Sequence, residues 1–449
     1  MGPYRADRGR RRPRPGRWSG AAEHDAGGRG PGHWSELAVP VAPLPLQAGD
    51  MTDPQTRAVH PPVTTPVGSR PLGVPIYQGH LFGFDAADDL AAAFQGPDEA
   101  FFYARMGNPT VRSLERALTE LEGGAGTLAT ASGMGAVNAV LMGLLRSGDH
   151  VIAQTALYGG TYALLQDLAD RWGIEVTFVS GDDPAEVRDA LRPTTRLLYL
   201  ETVANPTTHV TDLPAFTGAV RGTQVLTVVD NTFVPLLCKP IAHGADIVVH
   251  STTKYLAGHG DVIGGAAVFA DSAVHRRVWE HAIELGATAD PFAAWLTVRG
   301  LATMPMRVAR QSASALDIAR RLAAHPSVTR VHYPGLDDHP QHALAQRLLP
   351  DGAGGVLAFE LTGGREAGRA FSEAVELVAL GPSLGAVASL VMHPASTSHR
   401  QMDAASLTAA GIAEGTVRLS IGLEHPDDLW QDITQALQKA TEPRAGGSA

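Results

Sequence analysis

Short continuous apolar runs alternate with longer amphipathic segments from about residue 111 onward. A continuous apolar run is typical of a strand buried on both faces, whereas apolar residues three and four positions apart are typical of a helix. The alternation therefore predicts a parallel sheet with helices on both faces. The predicted strands are 127–131, 150–154, 175–180, 196–202, 226–231, 247–252 and 265–269, and the predicted helices are 110–121, 135–146, 161–172, 184–191 and 213–220.

A second α/β unit is predicted after a long helical stretch around residues 291–324. Its strands are expected near residues 328–333, 356–361 and 417–421. We therefore expect an N-terminal extension (1–50), an extended N-terminal arm (51–110), a large domain (111–300) and a C-terminal domain (301–442).

Residues 1–50 differ in composition from the rest of the chain. They contain eight arginines and five acidic residues, are rich in glycine and proline, and show no apolar periodicity, so we expect disorder. The apolar core of a secretory signal is missing from this segment, whereas an arginine-rich transit peptide stays open as an alternative. We favour Met51 as the natural start, which would make the extension non-native.

Composition narrows the class of protein. The chain has 449 residues, 44% of them hydrophobic, which is enough for a large core. No stretch approaches the roughly 20 apolar residues that a membrane helix needs. A net charge of −10 disfavours a nucleic-acid surface, and nothing in the pattern predicts a metal. The single cysteine, Cys238, excludes an internal disulfide and fits a cytoplasmic location.

Lysine is rare in this chain, which makes each lysine informative. The three are Lys239, Lys254 and Lys439, and arginine supplies nearly all the positive charge. Lys254 follows an apolar run whose end also carries Ser251 and Thr253, which would lie on one side of a strand. The two hydroxyls could donate hydrogen bonds to a phosphate, and the lysine could react with an aldehyde. This combination fits pyridoxal 5′-phosphate (PLP) bound to Lys254 as a Schiff base. A solvated lysine is the ordinary alternative.

Two charged residues fall in predicted strands. Asp230 ends an apolar run, at the edge of a parallel sheet where ligands bind. A buried carboxylate needs a partner, and a pyridinium nitrogen would supply one; a helix N-cap is the alternative. Arg418 lies within an apolar run, where its planar guanidinium suits a substrate α-carboxylate and an internal salt bridge is the alternative.

Two further segments would complete a cofactor site. Gly133 and Met134 join a strand to a helix, where backbone N–H groups bind anions, and a plain tight turn is an equal alternative. Tyr158 follows the next strand and would stack on a planar cofactor, although a tyrosine in such a place is more often part of the core.

A series of short motifs runs through residues 57–440. They are PIYQ (75–78), YARMGNPT (103–110), SGM (132–134), YGGT (158–161), ETVANP (201–206), DNT (230–232), STTKY (251–255), GHGD (258–261), SLG (383–385), HPAST (393–397) and VRLSIG (417–422). Together they resemble the Cys/Met-metabolism family of PLP enzymes, which includes methionine γ-lyases and cystathionine γ-synthases. The resemblance implies an α/β fold of PLP fold type I, like that of aspartate aminotransferase, with a mostly parallel sheet in the large domain.

The resemblance also implies an assembly and a set of residue roles. Tyr103 and Arg105, in the N-terminal arm, would grip the phosphate bound by the neighbouring subunit of a homotetramer built from two dimers. Lys254 would remove protons from Cα and then Cβ, and Tyr158 would stack on the cofactor ring and protonate the leaving group. The remaining implied contacts are Gly133, Met134, Ser251 and Thr253 with the phosphate, Asn205 with the 3′-oxygen, Asp230 with the ring nitrogen, and Ser383 and Arg418 with the substrate carboxylate.

The motifs also bear on the reaction. The segment 258–261 is similar to methionine γ-lyases, whereas Gly160 is typical of cystathionine enzymes. Ala388 stands where cystathionine enzymes usually carry a glutamate that could meet a second amino acid. We therefore expect γ-elimination of L-methionine or a related thioether to 2-oxobutanoate, ammonia and a thiol. The alternatives are γ-replacement on an O-acylhomoserine, cystathionine γ-lyase activity, transamination, and PLP binding without turnover.

Overall fold

The structure, a computed structural model, describes residues 69–95, 100–398, 400, 407 and 411–441. The chain divides into two units, Met1–Arg70 and Pro71–Ala449, and all but two of the described residues belong to the second. The predicted extension at residues 1–50 and the beginning of the predicted arm lie outside the described residues. No helix among the described residues is long and apolar enough to cross a membrane.

The first sheet is mostly parallel, as predicted. Its strands are β1 (Gly126–Thr130), β2 (His150–Gln154), β3 (Glu175–Val179), β4 (Thr195–Glu201), β5 (Leu226–Asp230), β6 (Ile247–His250) and β7 (Gly265–Phe269). They are ordered β1-β7-β6-β5-β4-β2-β3. Strand β7 is the exception to the parallel arrangement, because it pairs antiparallel with both β1 and β6. The segment between β6 and β7 forms turns rather than a crossover helix, so the chain returns in the opposite direction.

Both faces of this sheet are buried. Leu198 and Leu200 of β4 pack into one apolar core, whereas Leu197 and Tyr199 of the same strand pack into the other. This alternation follows from the period of two in a strand, and it explains why the strands are continuously apolar in sequence. The helices of this part are α1 (Ala87–Gln95), α2 (Pro109–Glu122), α3 (Gly133–Leu144), α4 (Gly159–Trp172), α5 (Pro184–Ala190), α6 (Leu213–Ala219) and α7 (Ser272–Leu285).

The strands that follow residue 327 form a second sheet. Its strands are β8 (Val328–His332), β9 (Val356–Leu361), β10 (Ala379–Leu380), β11 (Leu390–Met392) and β12 (Thr416–Ser420), in the order β10-β11-β12-β9-β8. Among the described strands of this sheet, β10 and β11 pair in parallel and the other neighbours pair antiparallel. The accompanying helices are α8 (Pro291–Leu301), α9 (Met304–Ala323), α10 (His342–Leu348), α11 (Gly364–Ala374) and α12 (Pro426–Thr441), with 3₁₀ turns at Pro394–Ser396 here and at Pro240–His243 in the first part.

Most predicted strands begin and end within a residue or two of their predicted positions. The largest difference is at the end of the sixth strand, which was expected at residue 252 and lies at His250. Its neighbour β5 has already ended at Asp230, and the backbone N–H of Ser251 donates instead to the hydroxyl of Thr232 at 2.9 Å. The elements that were not predicted are helices α1, α7, α10 and α11 and the short strands β10 and β11. Helix α1 lies inside the segment 51–110 that was expected to be an extended arm, so that expectation is wrong for Ala87–Gln95.

Candidate active site

Ten of the twelve predicted site residues line one cavity of about 390 Å³. It lies at the carboxyl ends of β4, β5 and β6, where parallel sheets bind ligands. Residues after the second sheet's β10 and within β12 complete its wall. The ten are Gly133, Met134, Tyr158, Asn205, Asp230, Ser251, Thr253, Lys254, Ser383 and Arg418.

Two neighbouring carboxylates lie on this cavity. Asp230 ends β5 directly opposite Glu201, which ends β4. Burial raises the pKa of Asp230, and burial together with the nearby Asp230 charge raises the pKa of Glu201 well above its ordinary range. The backbone N–H of Thr232 donates to Asp230 Oδ1 at 2.9 Å, and the helix N-cap considered for Asp230 is not formed. A cation at this end of the cavity would favour the ionised form of these carboxylates. A protonated pyridine nitrogen would be such a cation, and it needs a negative partner in return.

Lys254 lies in a turn rather than on a strand. The backbone N–H of Lys254 donates to Ser251 O at 3.2 Å, and that of Gly258 donates to Lys254 O at 2.8 Å. The strand alternation predicted for Ser251 and Thr253 is therefore wrong, although both residues line the cavity. The turn directs Lys254 Nζ to the hydroxyl oxygen of Ser383, 2.8 Å away. Burial, and then the charge of Arg418, lower the pKa of Lys254, which favours its neutral, nucleophilic amine.

The start of α3 forms a cradle for an anion. Ser132 caps the helix by accepting the N–H of Gly135 at 3.0 Å, while the first N–H groups of a helix have no partner within it. A Cβ on Gly133 would lie 2.8 Å from the Cβ of Ser251, so only glycine lets the helix start approach the lysine turn this closely. The Thr253 hydroxyl accepts from Gly264 N at 3.0 Å and donates to Gly264 O at 3.2 Å.

Arg418 reaches the cavity from β12 and is almost fully buried. Its Nη1 donates to Asn205 Oδ1 at 3.0 Å and its Nη2 to Ser383 O at 2.7 Å. Burial lowers the pKa of Arg418 to about 10, and no acidic residue pairs with it in the part of the chain that the structure describes. Both partners are neutral groups, which leaves the positive charge for a ligand carboxylate. Ser383 adopts a φ of 99°, a strained conformation typical of binding sites.

Tyr158 precedes α4 at the mouth of the cavity, and 48% of its surface is exposed. Its backbone N–H donates to Glu201 Oε1 at 2.5 Å, so the buried carboxylate fixes the position of the tyrosine. A Cβ at Gly160 would lie 2.6 Å from Tyr158 Cε1, so any side chain at position 160 would displace the ring. Glycine at position 160 therefore leaves the space that the Tyr158 ring occupies.

Tyr103 and Arg105 lie away from the cavity of their own chain. Arg105 Nη1 donates to Ile283 O at 2.6 Å, and its guanidinium lies 5.8 Å from the centre of the Tyr103 ring. Tyr103 is 39% exposed. Their predicted role at a neighbouring subunit stays a prediction.

Sequence analysis missed other residues of the cavity wall. A carboxylate ending an apolar strand was the signal for Asp230, and the same signal applies to Glu201. Ile263 and Met392 carry no comparable signal, because each is one apolar residue in a loop or short strand. Ala388 is exposed and lies outside the cavity lining. A longer side chain at position 388 would therefore begin outside the cavity wall.

Together these groups fit PLP. The helix start at Gly133 suits its phosphate, Lys254 its aldehyde carbon, and Asp230 its ring nitrogen. Each group lines the same cavity, which is large enough for the cofactor and a small amino acid.

Comparisons with known proteins agree with this arrangement. An L-methionine gamma-lyase of Fusobacterium nucleatum subsp. polymorphum is 41% identical over 82% of this chain and 94% of the relative. A cystathionine beta-lyase of Bacillus subtilis (strain 168) is 38% identical over 86% of this chain and 96% of the relative.

Solved structures show the same fold. A cystathionine gamma synthase from Xanthomonas oryzae pv. oryzae, in complex with aminoacrylate and cysteine, has a TM-score of 0.77 and 42% identity, over 82% of this chain and 92% of that one. A putative O-acetylhomoserine (thiol)-lyase from Campylobacter jejuni, containing a pyridoxyl-lysine phosphate, has a TM-score of 0.79 and 33% identity, over 82% of this chain and 96% of that one. The model of the Cys/Met metabolism PLP-dependent enzyme family matches residues 55–438, and this chain therefore belongs to that family.

Proposed function

We propose that the protein catalyses γ-elimination on a sulfur amino acid, converting L-methionine or a related thioether and water to 2-oxobutanoate, ammonia and a thiol. The arrangement of Lys254, Ser383 and Arg418 carries the proposal. Lys254 Nζ contacts the Ser383 hydroxyl at 2.8 Å, and the Ser383 carbonyl accepts from Arg418 at 2.7 Å. A substrate whose carboxylate binds Arg418 therefore presents its Cα close to the lysine amine.

The cavity wall supports a thioether substrate. Phe233, Leu384 and Met392 line it, and Ile263 lies exposed among the lining residues. An apolar wall beside a few fixed polar groups suits a side chain that ends in a methylthio group, since such a group gains from leaving water and needs no hydrogen bond.

The placement of acidic groups favours elimination over replacement by a second amino acid. Glu201 and Asp230 are the carboxylates that line the cavity within the described residues. Both already accept backbone N–H groups, from Tyr158 and Thr232. The described wall therefore offers no acidic side chain for the ammonium group of an incoming amino acid. The gamma-lyase name of the 41% identical relative supports the same choice.

The chain's own groups divide the work. When bound, PLP draws electrons from the substrate carbon attached to nitrogen, which acidifies the protons on Cα and Cβ. Lys254, with its lowered pKa, would take the Cα proton, deliver it to the bound cofactor, and then, as a neutral amine again, take the Cβ proton. Tyr158 donates a proton to the departing sulfur, and Arg418 sets which Cα bond faces the lysine. Asp230, which lines the cavity, would keep a proton on the ring nitrogen of the bound cofactor by supplying a negative partner.

We propose further that the enzyme is a cytoplasmic homotetramer, in which each Tyr103 and Arg105 serve a neighbouring subunit. Their position outside the cavity of their own chain supports this, together with the exposed apolar side chains Leu81 and Phe94 nearby in sequence. We also propose that the large domain (111–300) binds the cofactor and the C-terminal domain (301–442) supplies the substrate-carboxylate contacts.

Two findings keep γ-replacement on an O-acylhomoserine as the second candidate. A cystathionine gamma-synthase of Mycobacterium bovis is 39% identical over 86% of this chain. Gly160 beside the Tyr158 ring is the residue that the resemblance associates with cystathionine enzymes. Cystathionine γ-lyase activity requires the same groups.

Product analysis tests the proposal. The purified protein is incubated with methionine, with cystathionine, and with an O-acylhomoserine with and without a thiol, and keto acids, ammonia and thiols are measured. We expect 2-oxobutanoate, ammonia and methanethiol from methionine, and no product from Lys254→Ala. If the acylated homoserine is the one substrate that turns over, and if it does so only when a thiol is supplied, the result would instead establish γ-replacement.

A further inference from the structure

Helix α9 carries two buried polar side chains that the proposed reaction does not use. Arg307 is 4% exposed and Gln311 is fully buried. They are four residues apart and therefore lie on one face of the helix. Burying a charge and an amide is costly unless both are hydrogen-bonded, so their partners indicate what they hold.

Arg307 binds the backbone that follows Lys254. Its Nη1 donates to Tyr255 O at 2.9 Å, and its Nη2 donates to Leu256 O at 3.5 Å and to Gly300 O at 2.8 Å. Within the described residues no acidic side chain pairs with this guanidinium. Its Nε donates to the hydroxyl of Thr303 at 3.1 Å. The guanidinium therefore binds two backbone carbonyls of the lysine turn (residues 251–258), one at the end of α8, and a hydroxyl just before its own helix.

Arg307 packs tightly against the backbone of the lysine turn. Gly258 closes the turn with a φ of +73°, and a Cβ at this position would lie 1.9 Å from Arg307 Nη1. On the other side, a Cβ at Gly300 would lie 2.3 Å from Ala257 O. The turn is thus clamped between the guanidinium and the last residues of α8, and a shift of Arg307 would move the backbone that aims Lys254.

Gln311 holds the segment that carries Ser383. Its Nε2 donates to Ala386 O at 2.8 Å. The same segment is joined to the lysine turn, because Val387 N donates to Gly258 O at 2.9 Å. One helix face therefore supports both the turn behind Lys254 and the segment whose serine hydroxyl meets Lys254 Nζ.

We propose that Arg307 and Gln311 are positioning residues, which hold the lysine turn and the substrate-carboxylate segment in register across the active site. The inference rests on the roles proposed for Lys254 and Ser383. It assigns the two residues different consequences. Arg307 governs the aim of the proton-transferring amine, whereas Gln311 governs the site that receives the substrate carboxylate.

Kinetics of the loaded enzyme separate these roles. In Arg307→Met we expect kcat to fall on the order of 10²-fold, since a displacement of about 1 Å costs that much, with little change in KM. Arg307→Lys keeps one charged donor for the turn and should recover part of kcat. In Gln311→Leu we expect KM to rise more than kcat falls. The pH midpoint of the visible absorption band of the lysine-bound cofactor should shift more in the Arg307 variants than in Gln311→Leu, because Gln311 reaches Lys254 only through the segment that carries Ser383.

Arg277→Met is the matched control, because Arg277 also donates from Nη2 to a backbone carbonyl, Leu144 O at 2.9 Å, outside the cavity lining. It should leave kcat, KM and the band unchanged. Wild-type kcat and an unshifted band in both Arg307 variants would overturn the inference. So would the same fall in kcat and the same rise in KM in Arg307→Met, Arg307→Lys and Gln311→Leu. If Arg307→Met does not fold, Arg307→Lys and Gln311→Leu decide the matter. Lys254→Ala tests the proposed function separately, since a retained lysine-bound band in that variant would refute the site itself.

Discussion

Replacing Arg418 by lysine keeps a positive charge in the cavity and removes the planar fork of donors. Arg418 uses two nitrogens to bind Asn205 Oδ1 and Ser383 O, at 3.0 and 2.7 Å. A lysine ammonium is a single point of charge, so it cannot serve both acceptors and a substrate carboxylate in the same geometry. One hydrogen bond to a charged group contributes about 1.5–3 kcal/mol, and its loss corresponds to a roughly 10- to 150-fold weaker Kd.

The assay compares two ligands that differ only in the carboxylate. Kd is measured by stopped-flow, from the first change in cofactor absorbance before product forms, for L-methionine and for 3-(methylthio)propylamine, in the wild type and in Arg418→Lys. We expect the variant to weaken methionine binding by the stated factor and to leave amine binding unchanged. Melting temperatures of both loaded proteins show whether the buried substitution disturbs the fold. An equal loss for both ligands would refute a carboxylate-binding role, since Arg418 would then act by holding Asn205 and Ser383 alone.

Two further outcomes are expected. The raised pKa values of Asp230 and Glu201 mean that folding favours their protonated forms, so their contribution to stability is complete below the ordinary values of 3.8 and 4.5 and is lost as pH rises through the raised ones. The cofactor-free protein should therefore melt at lower temperature as pH rises above 4.5, and Asp230→Asn should flatten this dependence; an unchanged slope in the variant would contradict the assignment. Mixing Arg105→Ala with Lys254→Ala subunits should restore activity, because some sites would combine intact residues from two chains. Exchanged mixtures no more active than either parent would rule out shared sites.

The sequence by itself determined the strands of the first sheet and the main chemical groups of the site. Strands buried on both faces are continuously apolar, so runs such as Gly265–Phe269 are visible without tertiary information. Lys254 stood out because lysine is rare in this chain and two hydroxyl residues lie beside it, and Asp230 because it ends an apolar strand at the sheet edge where ligands bind. The family motifs then assigned the cofactor, and the match of the family model confirmed that assignment.

Only the tertiary structure decided how these groups are held. Strand β6 ends at His250 because the hydroxyl of Thr232, in the turn that follows β5, accepts the next backbone N–H. Arg418 pairs with Asn205, 213 positions away in sequence, rather than with a carboxylate. Arg307 supports the lysine turn from 51 and 52 positions further along the chain. Local patterns fix which residues are buried, but they carry no record of which distant backbone group a buried donor will meet, because that depends on how the elements pack.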